Sequence, residues 1–213
     1  MRDDYLQRWL TVLQKLPSSK KQKHKIYDDL KRCYAESHRA YHTFEHIKAC
    51  LQQLDKVSNT LENALHVELA LWFHDVIYNP RSESNEVDSA EYAKQALQTL
   101  ALSEEAIQVI EHLILLTQHP SQPQTYDEQI LLDIDLSILG AEKSEFALYN
   151  ENIRREYRWV DDVIYQKERA KVLANFLAQT RIYHTKYFFD KKEILARKNL
   201  VFALESCACS KEC

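Results

Sequence analysis

A histidine and a carboxylate stand side by side, at His74 and Asp75, in the otherwise apolar run of residues 69–78. An ionised carboxylate is costly to bury unless a positive group receives it. On a helix the two side chains diverge by about 100°, so both can lean toward one point at its edge. A divalent metal ion would suit that point. The alternative is a hydrogen-bonded histidine beside an aspartate at a helix end.

Two further segments could supply ligands to the same ion. Upstream, His42 and His46 are four residues apart, and we expect them to share one helical face. Downstream, Asp135 has leucine or isoleucine at its three- and four-residue neighbours, so a helix would hold its carboxylate within an apolar stripe. Asp133 has more mixed neighbours, and its two-residue offset points it away from Asp135. We therefore rank Asp135 as a ligand and Asp133 as a helix cap or a residue that supports the ligands.

This ordered set resembles the H…HD…D signature of the HD superfamily of metal-dependent phosphohydrolases. Residues 41–46, Tyr-His-Thr-Phe-Glu-His, are similar to the Tyr-His-Asn-x-x-His segment of cyclic-nucleotide phosphodiesterases, and residues 135–137 to their Ala-Asp-Leu-Ser segment. A longer pattern over residues 5–204 resembles a group of predicted HD phosphohydrolases of about this length. Its positions here are Asn85-Glu86, Thr117, His119, Asp135 to Gly140, Arg155-Glu156-Tyr157 and Ala196 to Leu200.

The resemblance implies a role for each residue of the site. The metal ligands would be His46, His74, Asp75 and Asp135. The catalytic residues would be Asp75 and His42, the latter as the general acid that protonates the leaving oxygen. Mixed nitrogen and oxygen ligands suit manganese, iron, cobalt, nickel, zinc or magnesium, and we expect one or two such divalent ions.

Substrate contacts are expected from three residues around the ligands. Arg81 follows the His-Asp pair, and a guanidinium binds phosphate bidentately. Glu86 opens a helix and could hold a bridging water, although a first-turn acid also complements the helix dipole without any function. His119 is the third, as some HD relatives use extra histidines for a second ion. The arginines of the carboxyl-terminal third could also bind phosphate, but helix-surface pairing is the simpler interpretation for each.

The function that the resemblance implies is hydrolysis of a phosphate ester or phosphoanhydride, in a nucleotide or another small phosphorylated metabolite, by metal-activated water. The chain has no Gly-x-x-x-x-Gly-Lys-Ser/Thr segment, so the metal and side chains would have to recognise the phosphate. Two alternatives stay open: an oxygen-using diiron enzyme of the same superfamily, and a module that binds a nucleotide without cleaving it. A homodimer also stays open.

The composition favours an all-helical protein and argues against other classes. The 213 residues include one glycine and four prolines, which leaves few turn-forming residues. The net charge is −4 and the basic residues are dispersed, so a nucleic-acid partner is not expected. No apolar run approaches the length of a membrane span, and the amino terminus has no signal-peptide core, which favours a cytoplasmic location without membrane contact.

The expected fold is an all-α HD-domain helical bundle with additional carboxyl-terminal helices. Residues 1–205 would form one domain, with the metal-site core at about 38–140 and the added helices at 141–205. Residues 206–213 would be a flexible tail, in which Cys207, Cys209 and Cys213 could bind a soft metal but lack a nearby fourth ligand.

The apolar spacing also predicts individual helix ends. A helix should begin near His42, and Asn59 or Thr60 should cap the next one. Because Pro80 follows soon after the His-Asp pair, that pair should lie at the carboxyl end of its helix. Ser103 should cap a later helix.

Overall fold

The computed structural model describes residues 4–118 and 122–209, with side chains to residue 207, and no β-strand occurs within these ranges. The predicted all-α class is therefore confirmed. No helix in the described ranges combines the length and apolarity that a membrane crossing requires. The helices are α1 (Asp4–Val12), α2 (Lys20–Cys33), α3 (Phe44–Leu54), α4 (Ala64–Phe73), α5 (Asn85–Thr99), α6 (Glu104–Leu116), α7 (Tyr126–Asp135), α8 (Lys143–Glu156), α9 (Asp162–Ala178) and α10 (Lys186–Cys209), with short 3-10 helices at Ser58–Thr60 and Leu136–Gly140.

The chain divides into two compact units, residues 1–131 and 132–213. Helices α1 to α6 and most of α7 belong to the first unit, and α8 to α10 belong to the second. The single domain expected for residues 1–205 stays a prediction. Helix α10 runs to Cys209, so residues 206–209 of the expected tail are helical, and the Cys207 side chain is buried. Cys213 lies outside the described residues.

The core of the first unit is built around the second half of α4, residues 69–73, which is apolar on every side and fully buried. Trp72 packs edge-to-face against Trp9 from α1, at 5.5 Å between ring centroids, and against Tyr27 from α2, at 6.0 Å. The Tyr34 hydroxyl donates a hydrogen bond to the Trp72 carbonyl at 3.0 Å. These contacts fix the carboxyl end of α4, where the His-Asp pair follows.

Helix caps decide where α3, α4 and α6 begin. Thr43 caps α3 and accepts a hydrogen bond from the Glu45 amide, so His42 precedes the helix. The expectation that His42 and His46 share a helical face is therefore wrong. Asn63, not Asn59 or Thr60, caps α4, while Ser103 caps α6 as predicted.

In the second unit, side chains from residues 183–199 hold the 3-10 helix at residues 136–140. The Tyr183 hydroxyl accepts from the amide of residue 140 and donates to the carbonyl of residue 136, both at 3.0 Å. Lys192 Nζ donates to the carbonyl of residue 137 at 3.0 Å. The Asn199 amide donates to the carbonyls of residues 139 and 141, both at 2.9 Å. Through these bonds, which we call the clasp, the segment after Asp135 acquires hydrogen-bond partners that its own short helix does not supply.

Gly140 is required by close packing within the clasp. A Cβ atom at this position would lie 2.6 Å from Cβ of Lys192 and 2.8 Å from the Lys192 carbonyl oxygen. Any larger residue would therefore collide with main chain as well as with a side chain.

Candidate metal centre

Three side chains, from α3 and from the carboxyl end of α4, converge in the first unit. His46 Nε2 lies 3.1 Å from His74 Nε2. Asp75 Oδ2 lies 3.0 Å from His74 Nε2 and 3.6 Å from His46 Nε2. Both histidines are buried, and Asp75 is half-buried. These residues could together hold a metal ion.

The spacing of these atoms fits the coordination shell of a first-row metal. Ligand atoms about 2.1 Å from an ion lie about 3.0 Å apart when they subtend 90° and about 3.4 Å apart when they subtend the tetrahedral angle. The three distances in the cluster, 3.0, 3.1 and 3.6 Å, are close to these values. Two imidazoles and one carboxylate are also a donor set that such ions bind.

Hydrogen bonding sets the tautomer of His74. Its Nδ1 lies 3.0 Å from the Leu71 carbonyl oxygen, which can only accept, so Nδ1 carries the hydrogen. In the neutral ring, Nε2 then presents its lone pair toward His46 and Asp75. The residue is also the C-cap of α4, and its amide donates to the Ala70 carbonyl at 2.8 Å. The pair therefore lies at the carboxyl end of its helix, as predicted, and the Leu71 carbonyl orients the His74 ring.

The electrostatic balance at Asp75 favours the carboxylate. Burial by itself would raise the pKa of the Asp75 carboxyl, but His74, His42 and His46 outweigh burial and hold that pKa well below its usual range. An ionised carboxylate is the form that can bind a cation.

A buried arginine, Arg39, joins the two segments that form the centre. Its Nη1 donates to the His42 carbonyl at 3.0 Å and to the Asp75 carbonyl at 2.7 Å, and its Nη2 donates to the Val76 carbonyl at 2.9 Å. Its Nε donates to Glu36 at 3.0 Å. No pattern of residue types predicts this role of Arg39, because its acceptors are main-chain carbonyls.

Aromatic rings position His42 beside the centre. The imidazole stacks on Tyr78, with 4.3 Å between ring centroids and 30° between ring planes, and lies 6.1 Å from the His46 ring. Tyr41 contacts both histidines, at 5.0 Å from His42 and 4.8 Å from His46. The motif therefore brings His42 next to the ligands, although not from the helical face that its spacing suggested.

A buried thiol also borders the centre. Cys50 lies one helical turn after His46 on α3, and its Sγ is 3.7 Å from His46 Nε2. The residue is 2% exposed. In the sequence it was only part of an apolar pattern, although its four-residue offset from His46 was a usable signal.

Hydrogen bonds also hold the loop after the ligands. The Ser89 hydroxyl accepts from the Ile77 amide and donates to the Ile77 carbonyl, both at 3.1 Å. The Asn85 side chain accepts from the Asn79 amide at 2.8 Å and donates to the Asn79 carbonyl at 3.0 Å. Asn85, part of the motif pattern, thus has a structural role here.

Two of the three proposed substrate residues lie within the described ranges. Arg81 is exposed in the loop between α4 and α5, and Glu86 is half-buried in the first turn of α5. His119 lies outside the described residues. All three assignments as substrate-binding residues stay predictions.

The two aspartates of α7 differ in their surroundings. Asp133 is fully buried and accepts from the His184 amide at 2.7 Å, the Thr185 amide at 2.8 Å and the Thr185 hydroxyl at 2.6 Å. It thus holds the start of α10, which matches the predicted capping role. Burial raises the pKa of Asp133, against the opposing effect of these hydrogen bonds. Asp135 is half-buried at the end of α7, and its role as the fourth ligand stays a prediction.

Comparisons of the chain with family models, with curated proteins and with solved structures give no match. The case for a metal centre therefore depends on the converging side chains, and membership of the HD superfamily stays a prediction from the motif.

Proposed function

We propose that this chain is a metal-dependent phosphohydrolase of the HD type. Its substrate would be a phosphate ester or phosphoanhydride, in a nucleotide or another small phosphorylated metabolite. The observation that carries the proposal is the convergence of His46 Nε2, His74 Nε2 and Asp75 Oδ2 within 3.0 to 3.6 Å, beside a half-buried histidine, His42.

His46, His74 and Asp75 would hold a divalent ion, and Asp135 is the fourth ligand that the motif implies. When bound, such an ion supplies Lewis acidity at a phosphoryl oxygen and lowers the pKa of water. The protein's own contribution is orientation. Leu71 fixes the His74 ring through its carbonyl, and Arg39 fixes the main chain at Asp75.

His42 would deliver a proton to the leaving oxygen. Its ring is stacked on Tyr78, and its carbonyl is bound by Arg39, so the position of the ring is restrained from both ends. A histidine held in this way suits general acid catalysis near neutral pH.

Recognition of the phosphate falls to side chains. The sequence has one glycine and therefore no glycine-rich phosphate loop. Arg81 would contact the phosphate, with Glu86 and His119 as further substrate contacts.

The test combines metal analysis with a substrate screen. The purified protein is expected to contain stoichiometric divalent metal and to release phosphate from a panel of nucleotides and phosphorylated metabolites. Asp75→Asn and Asp135→Asn are each expected to lose both metal and activity, because removing one ligand weakens the whole shell. Asp28→Asn, the same change at an exposed position on α2, is the control and should keep both.

Other results would redirect or overturn the proposal. Full metal content in Asp135→Asn would remove Asp135 from the ligand set. Two irons per chain with iron-dependent oxygen consumption would favour an oxygenase. Retained metal with no phosphate release from any substrate would contradict a hydrolase.

A further inference from the structure

A cleft lies within the carboxyl-terminal unit, among helices α8, α9 and α10. Its volume is about 400 Å³, within the range of small-molecule sites. Apolar walls come from each helix, and the deepest of them, Phe146 and Leu173, are 2% and 1% exposed. Tyr165, also buried, adds a third wall. The flat apolar part of a ligand could therefore pack against these side chains.

The charged residue of interest in this cleft is Arg169. One nitrogen, Nη2, donates to Asn150 Oδ1 at 3.0 Å, and the guanidinium lies 5.3 Å from the centre of the Tyr149 ring. Its Nε is shielded from solvent and has no hydrogen-bond partner. Within residues 4–118 and 122–207, no carboxylate forms an ion pair with Arg169. The groups that interact with it are Asn150, Tyr149, which also hydrogen-bonds to the guanidinium, Tyr165 and Cys207.

Two other arginines of the same unit show the usual arrangement. Arg154 is paired with Asp162, and Arg197 with Glu193. A guanidinium remains charged in proteins, and a largely buried charge without a counter-ion is costly. Arg169 therefore differs from these neighbours in lacking the anion that would balance it.

The remaining charges around the cleft limit the kind of ligand. Lys143 and Arg154 also line it, whereas Glu151 contributes one negative charge. Because Asp162 already pairs with Arg154, the lining offers about one net positive charge, which suits a monoanion better than a polyanion. The apolar walls disfavour a simple inorganic ion.

We propose that this cleft binds a small organic monoanion, with a carboxylate against Arg169 and a flat apolar body between Phe146, Tyr165 and Leu173. A carboxylate suits the guanidinium because it can accept parallel hydrogen bonds from the planar donor. The site is separate from the metal centre proposed above and does not depend on the hydrolase activity.

A matched pair of ligands tests the proposal on the full-length protein. The probes are 2-naphthoate and its neutral analogue 2-naphthamide, titrated by ligand-observed NMR and by thermal shift. EDTA is present throughout, so that binding through a metal ion does not contribute. We expect 2-naphthoate to bind with a Kd below about 1 mM and the amide to bind about tenfold more weakly, because the amide lacks the charge-assisted hydrogen bonds.

Variants locate the binding. Arg169→Met should weaken naphthoate binding by about 10- to 100-fold without changing that of the amide. Arg155→Met, which removes an exposed arginine from the same unit, should leave both unchanged. Ala147→Trp replaces an exposed residue that lines the cleft and should block naphthoate while Arg169 is intact.

Three outcomes would overturn the proposal. These are equal binding of the acid and the amide, naphthoate binding that neither Arg169→Met nor Ala147→Trp changes, and absence of naphthoate binding at about 10 mM. If Arg169→Met fails to fold, Ala147→Trp decides between the outcomes, because an exposed helix position tolerates the change.

Discussion

Replacing Arg39 by methionine should disrupt the candidate metal centre without touching any proposed ligand. Methionine keeps an unbranched stem of similar length but removes the guanidinium. The carbonyls of His42, Asp75 and Val76, which now accept hydrogen bonds of 2.7 to 3.0 Å, would lose their donor. The Arg39 side chain is 0% exposed, so water does not readily replace it.

The expected cost follows from these contacts. A buried polar group that loses its partner costs about 1–3 kcal/mol. Allowing for relaxation around three such carbonyls, we expect the free energy of unfolding to fall by about 3–5 kcal/mol. The bond to Glu36 adds little, because that carboxylate is 46% exposed. Since domains of ordinary size are stable by about 5–15 kcal/mol, the loss should be a large part of the total.

Urea unfolding and metal titration measure the two consequences. Arg39→Met should lower both the unfolding midpoint and the affinity for the metal, since His42 and Asp75 share the lost donor. Arg39→Lys should recover only part of the stability, because one ammonium does not reproduce the planar fork of donors. The control is Arg32→Met, which removes a 74% exposed arginine paired with Asp29 and should cost less than about 1 kcal/mol. Equal losses for Arg39→Met and this control, with unchanged metal affinity, would refute the reasoning.

Three further substitutions separate chemistry from structure. His42→Ala should keep its metal and its fold but lose about 10²–10⁴-fold in turnover on substrates with a poor leaving group. The loss should be much smaller with a nitrophenolate leaving group, which departs without protonation. Equal losses on both substrates in steady-state kinetics would remove His42 as the general acid. Asp133→Ala should lower the free energy of unfolding by about 2–4 kcal/mol in urea titrations, because two amides and a hydroxyl near the start of α10 lose their acceptor. No loss of stability would show that water replaces the carboxylate. Gly140→Ala should cost about 1–3 kcal/mol by the same measurement, because the new Cβ overlaps the main chain of Lys192; unchanged unfolding would mean that this main chain shifts easily.

The helical architecture could be predicted because the apolar residues follow the helical period and because glycine and proline are scarce. The ends of the helices were predicted less accurately than the helical class. The start of α3 near His42 is confirmed, with Thr43 as the N-cap, but the four-residue spacing of the histidines wrongly placed His42 on the helix. The N-cap of α4 was predicted too early in the chain. Asn59 and Thr60 are suitable residue types, but Asp127 accepts hydrogen bonds from the amides of Glu62 and Asn63, and the helix begins after them.

At the candidate site, the candidate metal ligands could be predicted from the sequence, but the residues that position them could not. His74 and Asp75 could be identified because they interrupt an apolar run, and His46 because its position ahead of them matches the motif. Arg39 donates to main-chain carbonyls, and every residue type offers that acceptor, so no pattern distinguishes its partners. The stacking of Tyr78 on His42 is equally invisible, because the two rings are far apart in sequence.

The clasp on residues 136–141 has a consequence for the order in which the chain can fold. All of the side chains that form it come from residues 183–199, much later in the chain. During synthesis, the segment that follows Asp135 therefore has none of these partners until α10 has emerged. Closing a loop of this length costs conformational entropy, so contacts between such distant parts of the chain form slowly. His46 lies on α3 and His74 ends α4, and α4 packs against α3, α5 and α6, which all precede α10 in the chain. The surroundings of these two histidines can therefore form before the clasp that supports the segment after Asp135.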